Sequence, residues 1–565
     1  MAWRIVTKQV KQNTYLYAKS TRRSQDEPGE EKYLGTADDI VAMVDAFNNP
    51  PAPAVVDKEF GAVAALWSIA QRLNLVALLD EVFPKRNHGP SIGTYLIVGA
   101  ISRCLEPVSK KGTPEWYDKT ILPRLLGYDA KSFSSQRFWD NCHELTEEQF
   151  FTAQKRLARQ MAEEFDLYLG SMLYDTTNYD TYIATGNPAQ LAERGYAKSK
   201  RTDLKVVGLA AMVTQDGHVP IFHQVYPGNR HDSVQFNQIL PLLSEAAQEI
   251  CHHYPDVTLV LDKGNNAKDT WEIWQDTPFH FVGSLPVSDY PDLLAIPKSS
   301  YEELAPEDPD FEGCLAYRTT QKVLGAEYDL VLTFNPELYA GQMQGITANI
   351  AKCQKQFDDL CAGLSRWQRG EVTRGRKPTV AGVKSRIAKI ISRQYMKTLW
   401  RIKITTANSL PQLEVEFDQE AFQSLQTTSL GKSLVFTDRF DWSSDRIVQC
   451  YRSQWQIEEM FKWSKDRERN SWQPVYHWTD PMIRMHTFCC MLGLTLTSLL
   501  LRELRRNDFS LSQRSLFNHL EGIRETEITY PQFGRFPARI QTLLHELTGM
   551  QQGLYHELNL AKYRS

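Results

Sequence analysis

Nine cysteines are scattered through the 565 residues without one C-x-x-C pair, and the only neighbours, Cys489 and Cys490, sit inside an apolar run. That pattern argues against a zinc cluster or a disulfide framework and suits a reducing cytoplasm. The opening MAWRIVTKQV has no apolar core of signal-peptide length, so no secretory leader is expected. The longest apolar run, Phe488 to Leu501, has 14 residues, short of the roughly 18 to 20 that span a bilayer. It predicts a buried helix and no membrane partner. There is no G-x-x-x-x-G-K-[ST] loop, so no nucleotide cofactor is expected. Charge of one sign is also missing: 64 Lys and Arg face 68 Asp and Glu. A polyelectrolyte partner must therefore be sought in local clusters. No internal repeats occur, and the length suits roughly three to four domains.

What is present begins with helical spacing. From Phe60 to about Phe165, apolar residues recur every three or four positions, as in AVAALWSIAQRLNLVALLDEVF, after a polar stretch, YAKSTRRSQDEPGEEKYLG, that reads as a flexible or edge segment. Strand patterns follow. LYLGSMLYDTT ends in Asp175, LKVVGLAAMVT and HVPIFHQVY flank a QDG turn, and VTLVLDKG ends in Asp262. The order is three strands, helix, strand, short helix after Asn266, strand, which implies a mixed sheet covered by helices. After Pro286 the regularity breaks for about 145 residues. Within it, Arg366 to Lys403 carries twelve Lys or Arg against one acid, Glu371. KSLVFTD then reads as a strand, and Ser443 or Ser444 as the cap of a helix running through CYRSQWQIEEMFKWSKD.

That last helix places carboxylates among apolar residues. Steps of seven advance 700°, returning to within about 20° of the start, so Tyr451, Glu458 and Lys465 share one stripe, with Glu459 turned about 100° away. Glu458 is thus expected to face the protein body and Glu459 to be solvated. A buried carboxylate needs a compensating cation. Asp175 and Asp262, each ending an apolar strand, could join Glu458 around a hard divalent ion, because oxygen ligands without His or Cys favour Mg²⁺ or Mn²⁺ over zinc. Each acid also has a structural reading: Asp175 and Asp262 as turn residues, Glu458 as an ion pair with Lys462. His252 and His253 fall at a helix end, and His486 reads as a satisfied core residue.

These residues resemble the bacterial insertion-sequence transposases that have an RNase H-like core, a DDE triad and a Y-x2-R-x3-E-x6-K signature. The signature aligns with Tyr451, Gln454, Glu458 and Lys465, glutamine standing in the arginine position. LYDTTNY, GYAKSKRTDLKVVGLA, YPGNRHDS, LVLDKGNN and VYHWTDPMIRMHTFCCMLGL are similar too. The resemblance implies an α/β fold with an RNase H-like mixed sheet and flanking helices, interrupted by a β-rich insertion, plus an N-terminal helical domain. The corresponding divisions are a DNA-binding domain at 1–165, first core part at 166–285, insertion at 286–430, second core part at 431–510 and a helical tail at 511–565.

It further implies Asp175, Asp262 and Glu458 as the catalytic, metal-binding triad, Mg²⁺ as cofactor with Mn²⁺ as substitute, and contacts to DNA near the transposon end from Tyr451, Gln454 and Lys465. Gln454 can donate hydrogen bonds to a phosphate but brings no charge. Lys198, Lys200 and Arg201, with Arg374, Arg376 and Lys377, are the basic residues expected on DNA. The partners would be double-stranded DNA, as terminal inverted repeats and target, and a second copy in a homodimeric DNA complex in the bacterial cytoplasm, at the nucleoid. Two rivals stay open. A transposase-derived DNA-binding protein would bind without Mg²⁺-dependent nicking; a metal-dependent phosphatase, suggested by LYDTT, would turn over small molecules and have no use for the basic segment.

Overall fold

The computed structural model describes residues 2–20, 29–48, 52–84, 88–184, 186–250, 256–262, 271, 273–274, 277–473, 475–532 and 537–564. The chain forms two compact units, Gln154–Lys462 and Met1–Ala153 with Trp463–Ser565.

The first of these units is built on one nine-stranded sheet. Strands β5 (Ser171–Thr181), β6 (Lys205–Thr214), β7 (Pro220–Pro227), β8 (Thr258–Leu261) and β9 (His280–Leu285) lie in the order β7-β6-β5-β8-β9. Here β5, β8 and β9 are parallel neighbours, and β6 runs antiparallel to both β5 and β7. This is the mixed sheet expected from the strand order. The β6–β7 turn passes through Gly217 (φ 78°) and His218 (φ 43°), a left-handed pair that glycine eases. The short helix expected after Asn266 falls largely on residues 263–270, outside the described residues, as do His252 and His253.

Alternation along the strands decides which side chains meet which helix. Tyr174 packs on Phe236 of the Asp232–Ile250 helix at 4.8 Å between ring centroids, and Phe281 on Trp271 at 4.5 Å. The odd-numbered steps away from these residues, Asp175 on β5 and Ser284 on β9, therefore face the opposite side, where the helix Ser444–Arg452 packs on β8, β9 and the strand Lys432–Thr437.

The insertion differs from the β-rich expectation. Its β10 (Glu302–Glu303), β11 (Leu315–Val323) and β12 (Ala326–Phe334) extend the main sheet through β15 (Lys432–Thr437). What remains is mostly helical, with one hairpin of strands Trp400–Ala407 and Leu410–Phe417. The 33-residue helix Pro336–Gln368 buries Ile346, Cys353, Phe357, Leu360 and Leu364. That spacing is helical, and Asn335 caps its start by accepting from the Glu337 and Leu338 amides at 2.8 and 3.1 Å.

In the other unit, β1 (Trp3–Val10), β2 (Asn13–Ser20) and β3 (Glu31–Gly35) form an antiparallel meander. β4 (Ala54–Glu59) pairs with the strand Arg524–Tyr530, itself paired with Arg539–Leu544. Neither the N-terminal part nor the tail is therefore purely helical. The helix Asp480–Arg506 is long and apolar enough to cross a membrane by length and composition, yet it is buried against Ile92–Leu105 and Gly61–Arg72. A Cβ on Gly493 would stand 3.0 Å from the Ala100 carbonyl, so glycine sets that close approach. This packing assigns residues 463–506 to the unit of the N-terminal helices, whereas the sequence reading joined them to the sheet. His486 is the core residue expected, its Nε2 2.7 Å from the Trp472 carbonyl.

Candidate active site

Strands β5 and β8 pair in parallel up to Tyr174 opposite Leu261. Asp175 and Asp262 are the next residue on each, so they stand side by side on strands about 4.8 Å apart. Both follow buried apolar residues and both face the side of Ser444–Arg452. Asp175 keeps only partial solvent access, and burial pushes its carboxyl up to about 6. Lys198 and the Thr176 amide, which donates to Oδ1 at 2.7 Å, pull it down, and Asp262 and Asp232 raise it further. Asp262 itself is exposed.

The third acid sits on an interrupted helix. The expected single helix is two, Ser444–Arg452 and Trp455–Lys465, with a turn at Ser453–Gln454. Ser443 caps the first by accepting from the Arg446 amide at 3.2 Å, as read from sequence. Tyr451, half-buried, donates to Ser284 Oγ on β9 at 2.7 Å. Its phenol is raised, first by burial and then by the negative fields of Asp262 and Glu458. Tyr451 thus lies within the fields of both Asp262 and Glu458.

The wheel argument does not survive the break. Glu458 is exposed, whereas Glu459 is half-buried and pairs with Lys462 at 3.1 Å. A turn resets the rotational phase, so seven-residue spacing no longer fixes one stripe. Gln454 is half-buried in the turn, and Lys465 is exposed at the end of the second helix. Gln215, after β6, donates to Ser453 Oγ at 3.0 Å and accepts from Ser171 Oγ at 2.6 Å, tying the break to the sheet. Among the described residues, no three His, Cys, Asp or Glu side chains are grouped closely enough to hold a metal. Strand register brings Asp175 and Asp262 to one level, and Glu458 lies on the helix that follows Tyr451 and the Ser453–Gln454 turn.

Sequence reasoning passed over Asp232, Ser284 and Gln215. Asp232 lies within the quoted YPGNRHDS and was detectable as a helix-opening acid; Ser284 and Gln215 carry no local signal. Lys198 proves to be part of this site: its ammonium donates to the Thr176 carbonyl and its charge lowers Asp175. Lys200 is exposed, and Arg201 is paired with Asp203. Arg374, Arg376 and Lys377 lie exposed on the loop between the helices Pro336–Gln368 and Val380–Ile390, with no ion pair among the described residues.

A large mixed sheet with flanking helices, in which Asp175 lies within β5 and Asp262 just past β8 at the same level, defines an α/β domain with two neighbouring carboxylates. Residues 180–473 match the Transposase DDE domain, and the chain belongs to that family. The match includes Asp262 and Glu458 and starts five residues after Asp175. No curated protein matches the sequence. Among solved structures, a piggyBac transposase synaptic complex with hairpin DNA is similar at 8% identity and TM-score 0.35, over 81% of this chain and 79% of that one. A Mos1 transposase paired-end complex with the left transposon end is similar at 16% identity and TM-score 0.15, over 33% and 57%. A Mos1 mariner paired-end complex with Mn gives 15% identity and TM-score 0.15, over the same shares.

Proposed function

We propose that the protein is the transposase of a bacterial insertion sequence, which binds the terminal inverted repeats of its element, cuts DNA with metal-activated water and joins the freed 3′-hydroxyl to target DNA. The observation that carries this reading is the placement of Asp175 and Asp262 on neighbouring parallel strands, facing the segment that bears Tyr451 and Glu458. Asp175 meets the chemical requirement for a cation site: a carboxyl raised by burial is relieved by a nearby positive charge. Asp175, Asp262 and Glu458 would hold Mg²⁺, or Mn²⁺ in its place, through oxygen alone. Two such ions, when bound, activate the attacking oxygen and neutralise the leaving one.

The chain's own groups supply the rest. Lys198 places a cation beside Asp175, where a scissile phosphate would need charge. Tyr451, held by Ser284, orients the turn before Glu458. Gln454 and Lys465 contact the backbone near the cut, and Lys200, Arg201, Arg374, Arg376 and Lys377 neutralise phosphates further along. A homodimer pairs the two ends, in the bacterial cytoplasm.

The test is a duplex bearing the inverted repeat read from the DNA flanking this gene, incubated with the purified full chain with and without Mg²⁺. Mg²⁺-dependent nicking at the repeat end is expected. Binding without nicking would favour the DNA-binding rival, to which Gln454 in the arginine position lends support. Turnover of small phosphate esters alone would favour the phosphatase.

The Asp175 carboxyl also predicts a pH dependence. Its folded value, about 6, lies above the ordinary aspartate value of 3.8. In metal-free protein its contribution to stability is therefore fully present below about pH 4 and lost as pH rises through 6, by roughly 2–3 kcal/mol. Metal binding needs the ionised form, so Mg²⁺ affinity should fall about tenfold per unit below pH 6. Calorimetric titration between pH 5 and 8 measures this; a flat profile would remove Asp175 from the metal site.

A further inference from the structure

Within the unit Met1–Ala153 with Trp463–Ser565 lies a pocket of about 240 Å³. That is roughly the volume of eight waters. Arg103, Lys110 and Lys111 line it, and among the described residues no carboxylate does. Arg103 is 3% exposed; its guanidinium donates only to main-chain carbonyls, those of Ser471, Gln473 and Val108, and its buried Nε has no partner. Lys110 makes no hydrogen bond or ion pair among the described residues. Its ammonium lies 4.4 Å from the Phe138 ring centroid and would stand 3.3 Å from a Cβ on Gly99. Burial lowers both cations and, with their charges, holds His477 at about 3.

A buried guanidinium, Arg103, beside a half-buried ammonium, Lys110, with no acid to pair with among the described residues, is costly, and the cost is recovered when an oxyanion enters and accepts charge-assisted hydrogen bonds. The mouth carries Trp139, 39% exposed, and Tyr476, 55% exposed. Exposed rings beside a cationic floor suit a base or sugar next to a phosphate.

We infer that this pocket is a second, non-catalytic binding site that takes a phosphate group, through Lys110 and Arg103. The phosphate is that of nucleic acid, with free inorganic phosphate the other source of the same chemistry. The site does not depend on the cleavage reaction, so it can fail while nicking is observed, and the reverse.

The test compares the full wild-type chain with Lys110→Met and Lys110→Arg. Thermal unfolding is followed in inorganic phosphate against chloride at matched ionic strength, and affinity is measured for the repeat-end duplex. The wild type and Lys110→Arg should gain several degrees in phosphate, or bind duplex about tenfold more tightly than Lys110→Met, or both. A phosphate response without a duplex effect assigns the site to the free anion; a duplex effect without a phosphate response assigns it to nucleic acid. Equal behaviour of all three proteins in both assays overturns the site. Should Lys110→Met not fold, acetylation of Lys110 in the wild type decides by mass spectrometry: protection by phosphate or duplex supports the site, and equal labelling with and without both overturns it.

Discussion

Asp262→Asn is expected to lower Mg²⁺-dependent nicking at least about a thousandfold while changing duplex affinity by less than about threefold. A metal ligand supplies several kcal/mol of transition-state stabilisation, and about 4 kcal/mol corresponds to three orders of magnitude. Asp262 is exposed and ends its strand, so the amide is accommodated without repacking. The sharper comparison lies on the helix. Glu458→Gln should match Asp262→Asn, because Glu458 shares the field at Tyr451 with Asp262. Glu459→Gln, which removes only a partly exposed pair with Lys462, should cost less than about threefold. Single-turnover nicking of an end-labelled duplex reads all three. A larger loss in Glu459→Gln than in Glu458→Gln would exchange their roles and overturn the third member of the triad.

Arg318→Met should destabilise the unit Gln154–Lys462 by about 3–5 kcal/mol, the usual consequence of leaving a buried charge unpaired. Asp329 on β12 is 5% exposed and accepts from Arg318 Nε at 2.9 Å and from Thr320 Oγ1 at 2.6 Å. The same guanidinium donates to the carbonyls of Trp442 at 2.6 Å and Phe440 at 3.3 Å. Those residues directly precede the Ser444–Arg452 helix, so an arginine of the inserted hairpin helps hold the segment that leads to Glu458. Chemical unfolding followed by tryptophan fluorescence measures the loss. Adding Asp329→Leu should return much of it, since two apolar groups leave no unpaired charge. A single-variant loss below about 1 kcal/mol would mean that solvent already compensates Asp329.

Much of the sheet was legible because its strands are long apolar runs. β5, β6, β8 and β15 are buried along nearly their whole length, so each reads as a strand without tertiary context. Asp175 and Asp262 stood out for the same reason: a charge that ends such a run is conspicuous. The insertion was misread because its helical spacing lies beside a strongly basic, irregular loop, and the family resemblance led to a β-rich expectation. The two N-terminal sheets escaped because their strands are largely exposed and carry little hydrophobic alternation. Glu458 was assigned an inward face on the assumption that one helix runs from Ser444 to Lys465. No proline or glycine marks the turn at Ser453–Gln454, and Gln215, which ties that turn to the sheet, lies 238 residues from Ser453.

By itself, the order of residues determined the buried strands of the main sheet, where carboxylates follow apolar runs, and that a neutral total hides a basic stretch. Those are properties of near neighbours, set by side-chain periodicity and local backbone preference. Tertiary structure alone decided that Asp175 and Asp262 occupy the same level of adjacent strands, that Tyr451 lies within the fields of Asp262 and Glu458, and that Arg103 and Lys110 share a pocket lined by no acid among the described residues. Strand register, helix phase across a break and charge compensation depend on groups distant in the chain meeting in space, and no short-range pattern encodes that meeting.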